Sequence, residues 1–106
     1  MKKQEKDTIL EERKVLFKKQ RKERGFDDSE TWSLEQTIAQ FIVPRLKVYD
    51  EIANIIRSPK LKKQTKMFLK AMEHLSKIYW SSDPKIEKEI NDGLDAFPEI
   101  FRTLWW

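Results

Sequence analysis

Cysteine is absent from this sequence and histidine occurs once. The first absence excludes disulfide crosslinks and thiolate zinc sites. With His74 the lone imidazole, the usual nucleophile–base pairs of covalent catalysis are missing as well. Glycine is scarce, at two residues, so a glycine-rich phosphate loop is excluded. β-branched alternation is lacking, and no candidate strand emerges. No apolar run approaches the roughly 20 residues of a membrane span. The opening MKKQEKDTIL is basic but lacks the apolar stretch of a secretory signal, which makes the cytoplasm the expected location.

What remains is rich in helix formers. The 106 residues are 38% charged and 39% hydrophobic, enough for one modest core. Residues 1–106 are expected to form a single all-α domain, a compact bundle of about four helices, with no cofactor and no metal. Within it, 1–24 is a basic N-terminal helix and 25–106 the core bundle. The first helix has only a thin apolar stripe, Ile9 and Leu16 with Leu10 and Phe17. It must dock on something, which makes it a candidate arm for homo-oligomerisation or partner binding.

Helix boundaries are marked by local chemistry. Gly25 suits the left-handed residue that closes the first helix, with Phe26 as the accompanying apolar contact. Ser33-Leu34-Glu35-Gln36 fits a capping box, so a second helix starts near Leu34. Its apolar positions, from Leu34 and Ile38 through Ile55 and Ile56, stay in phase across Pro44, which predicts a kink rather than a stop. Ser58-Pro59 and Asp83-Pro84 each read as an N-cap followed by proline at N1, opening a third and a fourth helix. Gly93 inside the fourth helix permits a close crossing, and Pro98 is expected to kink it. The aromatic chain end through Phe101, Trp105 and Trp106 is expected to pack.

Charge is segregated along the chain. Residues 1–24 hold ten Lys or Arg against five acids, residues 25–56 two against six, residues 57–70 six against none, and residues 83–99 two against six. The segments are expected to attract one another in pairs, or else to leave a basic face for nucleic acid. That face would comprise Lys60, Lys62, Lys63 and Lys66 with Lys70 and the first helix, without any helix-turn-helix, zinc-finger or RNP signature. The acidic turn Asp27, Asp28, Glu30 lacks calcium-loop spacing and reads as a solvated cap. Arg45 lies on an otherwise apolar segment. It either pairs with that acidic turn or lines, with Trp32, a pocket for an anionic aromatic ligand such as a nucleotide.

The run Gly25-Phe26-Asp27-Asp28-Ser29-Glu30-Thr31-Trp32-Ser33-Leu34, followed by Thr37-Ile38-Ala39 and Phe41-Ile42-Val43-Pro44-Arg45-Leu46-Lys47, resembles a family of small uncharacterised proteins from tailed bacteriophages. Gly93-Leu94-Asp95-Ala96-Phe97 and the stretch from Phe101 to Trp105 are similar to the family's closing pattern. The resemblance covers about 40 residues in two blocks and leaves out the basic first helix. It implies a phage or prophage origin and action in the cytoplasm of an infected bacterium, and it implies no activity.

The expected function is therefore a non-enzymatic, phage-encoded binding protein. Its partner would be a host or phage protein, with inhibition of a host defence or replication factor as the role. The alternatives are a nucleic-acid-binding accessory using the basic face, and a helical oligomer that sequesters a nucleotide.

Overall fold

A computed structural model describes residues 2–53, 55–78 and 81–105, with side chains from residue 8 onward. Trp106, expected to pack at the chain end, lies outside the described residues. Among the described residues the chain is all-α, without strands. Helix α1 spans Lys2–Arg24, α2 Leu34–Ala53, α3 Pro59–Leu75 and α4 Pro84–Ile100, with 3-10 turns at Asp28–Thr31 and Phe101–Thr103. Both α2 and α4 run through their internal prolines, Pro44 and Pro98. No helix among the described residues is long and apolar enough to cross a membrane.

The chain divides into two units, Met1–Leu34 and Glu35–Trp106. The division falls beyond the Arg24 boundary drawn from composition because the acidic turn is tied to α1. Gly25 adopts φ 86° and donates its N–H to the Arg21 carbonyl at 2.9 Å, the left-handed closure expected there. The chain then doubles back. Gln20 Nε2 donates to Asp28 Oδ2 at 2.9 Å, and the Asp28 N–H returns a bond of 2.9 Å to Gln20 Oε1. Arg24 reaches Asp28 at 2.6 Å, and Arg21 pairs with the buried Asp27. Phe26 lies under the Arg24 guanidinium, 4.4 Å from its ring, instead of packing as an apolar cap contact.

A capping box does form in this region, at Asp27 rather than at Ser33. The Asp27 carboxylate accepts from the backbone of Ser29 and from the N3 position, while Glu30 accepts the Asp27 N–H at 2.7 Å. Gln36, which the sequence assigned to a cap, donates to the Ser76 carbonyl at 3.3 Å.

In the second unit the two N-cap–proline starts form as expected, with Ser58 accepting from Leu61 N–H and Asp83 from Lys85 N–H. Helices α3 and α4 pack closely through Gly93. A Cβ at this position would collide with the Ala71 methyl group and the Met67 carbonyl. The core joins Phe68, Ala71 and Met72 of α3 to Ala39 and Leu46 of α2 and to Ile100 at the end of α4. Phe68 stacks on Phe97 with ring centres 4.5 Å apart, and burying such a ring stabilises the fold by about 2–3 kcal/mol. At the chain end Ile100 is fully buried and Leu104 half-buried. Phe101 and Trp105 stay exposed, so the aromatic end packs only in part.

Opposite charges meet across α3 and α4. Lys60 pairs with Glu99 at 3.5 Å and Lys70 with Glu89 at 3.4 Å, while His74 Nε2 donates to Glu89 at 2.6 Å. Of the two readings of the charge pattern, attraction between segments accounts for these pairs and for the two in the first unit. The His74 hydrogen bond, and after it Lys70, holds the Glu89 carboxyl below its ordinary range.

Two outcomes are expected from this packing. Gly93→Ala forces backbone apart at the crossing and should lower stability by about 1–3 kcal/mol in urea unfolding. An unchanged midpoint would show that the helices separate freely. In the first unit, Ser29 and then Arg21 depress the Asp27 carboxyl, and Gln20 and then Arg24 depress that of Asp28. A carboxyl whose folded value is lowered stabilises the fold above its unfolded value, and that contribution is lost as pH falls through the folded one. Amide exchange over Arg21–Asp28 should therefore quicken below about pH 4, and the doubly substituted Asp27→Asn, Asp28→Asn protein should lack this acid transition.

Candidate protein-docking site

Helix α2 carries two apolar faces, which the sequence showed only as one in-phase apolar stripe. Ala39, Leu46 and Ala53 are buried, and Ile42, Val43 and Tyr49 pack beside the core. Roughly a third of a turn away around the helix runs a second line at alternating spacings of four and three: Leu34, Ile38, Phe41, Arg45, Val48, Ile52. These side chains are open to solvent. Ile38 is 53% exposed, Phe41 57%, Val48 54% and Ile52 45%. Ile55 and Ile56, in the turn after the helix, are exposed too. The single stripe read along the sequence thus divides: Ala39, Leu46 and Ala53 are buried on the inner face, and Ile38, Phe41, Val48 and Ile52 are left exposed.

Arg45 sits in the middle of this outer line. Its guanidinium folds back along α2, 3.7 Å from the Phe41 ring centre, and donates to the Phe41 carbonyl at 2.8 Å. Within the first unit, Asp27 and Asp28 of the acidic turn are held by Arg21 and Arg24. Beside Arg45 lies a hollow of about 340 Å³ walled by Ile42, Leu46, Val48, Tyr49, Ile52 and Leu104, its lining almost wholly apolar. Such a surface suits a hydrophobic side chain from another polypeptide. It offers no cluster of donors for a phosphate.

The other residues singled out from sequence fall elsewhere. Trp32 is exposed and rests edge-on against Phe17 in the first unit, ring centres 5.8 Å apart. Lys62, Lys63 and Lys66 border a shallow depression of about 470 Å³ with Pro59, Met67 and Lys70. Among the described residues these three lysines have no ion-pair partner, whereas Lys60 is engaged by Glu99. Ile9, Leu10, Val15 and Leu16 of α1 are exposed, forming a shorter apolar stripe than that of α2.

One residue that matters was overlooked in the sequence. Arg57, between α2 and α3, is only 9% exposed and has no carboxylate partner among the described residues. Its Nη1 donates to Tyr49 Oη at 2.7 Å and to the Thr103 carbonyl at 2.8 Å. Its Nη2 donates to Thr65 Oγ1 at 2.9 Å and Thr103 Oγ1 at 3.3 Å. Tyr49 in turn donates to the Thr103 carbonyl, at 3.1 Å. This guanidinium joins α2, α3 and the C-terminal turn, and so fixes the end of α2 that bears the outer apolar line. Nothing in a one-dimensional reading separates it from the five lysines that follow it, because its neutral partners are 8 and 46 residues away.

No family model matches the chain, and no curated protein or solved structure matches it.

Removing the guanidinium leaves the buried Thr65 and the half-buried Thr103 and Tyr49 without their shared donor. Arg57→Ala should cost on the order of 2–4 kcal/mol in urea unfolding, and Arg57→Lys should recover only part, since an ammonium cannot span the same fork. A full recovery by lysine would show that charge, rather than the planar geometry, is what the site requires.

Proposed function

We propose that this protein is a non-enzymatic binding protein that acts by docking another polypeptide, presented as an amphipathic helix, along the outer face of α2. The observation that carries this reading is the line of large apolar side chains left exposed at helical spacing, with an apolar hollow beside it. Helix-in-groove recognition uses anchors at this same spacing. The resemblance to a tailed-phage family supports a phage or host protein as the partner and the bacterial cytoplasm as the setting. Inhibition of a host defence or replication factor is the role this reading assigns.

A second reading rests on Lys62, Lys63 and Lys66, whose charges are not neutralised within the chain. It makes the α3 surface a non-specific nucleic-acid contact with a steep dependence on salt. One experiment separates the two. A photo-crosslinking residue is placed singly at Val48, Lys63 and Asn91 of the full-length chain expressed in bacteria. The docking reading expects polypeptide adducts at Val48, mapping to a helical segment, and none at the exposed control Asn91. Nucleic-acid adducts at Lys63 with none at Val48 would favour the second reading, and silence at Val48 sinks the first.

A further inference from the structure

We infer that the polypeptide docked on α2 is a second copy of this chain, lying antiparallel against the same helix across a two-fold axis. The inference rests on the docking reading above and supplies its occupant.

The alternating four–three spacing of Ile38, Phe41, Arg45, Val48 and Ile52 is that of the a and d positions of a coiled-coil seam. When two such seams run antiparallel, residues meet in layers whose numbers have a constant sum. The register centred between Leu46 and Lys47 places Phe41 opposite Ile52 of the second copy and Arg45 opposite Val48 of the second copy, with each layer repeated by symmetry. Phe41 and Ile52 then face each other, Arg45 faces Val48, and Ile38 falls level with Ile55, just beyond the end of α2. A self-complementary patch of this kind is what a closed two-fold interface requires.

Charge decides the direction. In a parallel pairing Arg45 would face Arg45 of the second copy, placing like charges together at the centre of an apolar interface. In the antiparallel register, residue 51 of the second copy falls level with residue 42. The observed guanidinium is already there: by folding back over Phe41 it lies about one helical turn toward the N-terminus of α2 from its own backbone position. Glu51 of the second copy would meet it at that level, and symmetry makes the pair twice. Neither Arg45 nor Glu51 has an ion-pair partner within the chain among the described residues, and both are exposed. The hollow beside Val48, Tyr49 and Ile52 receives the Phe41 ring of the second copy, which the register brings to Ile52.

The test is light scattering after size exclusion across a concentration series, on the full chain and on Arg45→Glu, Glu51→Arg and the double exchange. Both sites are solvent-exposed, and circular dichroism verifies that the helices persist. The unsubstituted chain is expected to be a dimer. Each single reversal should weaken it about tenfold or more, and the double exchange should restore it to within a few-fold. A monomer at every concentration overturns the inference, as does a dimer indifferent to the single reversals or not rescued by the double exchange. A monomer whose Val48 crosslinker still captures a helix of a different protein overturns only the identity of the occupant. A monomer with no adduct at Val48 overturns the docking reading as well.

Discussion

A single buried guanidinium ties together three segments of the second unit. Arg57 leaves solvent without an acidic partner among the described residues, a situation that is costly unless most of its donors are used. Here four of its N–H groups are spent on Tyr49, Thr65 and Thr103, while Nε alone lacks a partner. Because those acceptors belong to three different segments, their satisfaction is conditional on the segments meeting. The hydrophobic core supplies most of the driving force, yet apolar contacts are non-directional. The arginine supplies direction, setting the end of α2 against the C-terminal turn. The outer face of α2 therefore has a fixed orientation, as a docking surface requires.

Local grammar made much of the fold legible. Ser58-Pro59 and Asp83-Pro84 start helices where expected, Gly25 closes one, and Gly93 lies where a side chain would collide with α3. Each of these effects depends on near neighbours or on backbone geometry. The failures share a different cause. A stripe at period 3.6 shows that a helix is apolar along a line, but not whether one face or two adjoining faces are apolar. On α2 the small residues Ala39 and Ala53, weak in any hydrophobic reading, took the inner face because they allow close approach. Arg45 and Arg57 show the same limit for charge. The guanidinium of Arg45 lies on an aromatic ring, and Arg57, counted only as one charge of the basic segment 57–70, is buried. Partners separated by 46 residues leave no mark on spacing.

The distribution of ion pairs bears on which exposed surface is functional. Four of the opposed charges expected from the segment pattern do meet: Arg21 with Asp27, Arg24 with Asp28, Lys60 with Glu99 and Lys70 with Glu89. Pairs at the surface contribute little to stability, at most about 1 kcal/mol each. Their consequence is to reduce the net field of the basic segments. What remains on α3 is a small group of three lysines around an open depression, a weak footprint for a polyanion that normally engages many phosphates. Lysines left unpaired on a helix are also the ordinary means of keeping a small domain soluble. The outer face of α2 has no such ordinary explanation, because large apolar residues in an exposed line cost solubility and add nothing to the core.

That asymmetry gives Arg45 its meaning. A wholly apolar seam would associate with any similar surface, in either direction and in several registers. One charged residue at an interior seam position penalises most of those arrangements, since each unpaired charge pressed into an apolar contact loses hydration without compensation. The aromatic ring beneath it lessens this loss, and the Phe41 carbonyl takes one of its donors. The residue is therefore stable as it stands in water, and under the docking proposal it would tolerate only a partner that brings a carboxylate to the same level. In that proposal the apolar side chains on either side would provide the affinity, and the arginine would restrict which partner shares in it. Such a division of labour is typical of surfaces that bind one partner and refuse others. It is also reason to read the charge at position 45 as a selector, and the apolar residues around it as the surface on which that selection is exercised.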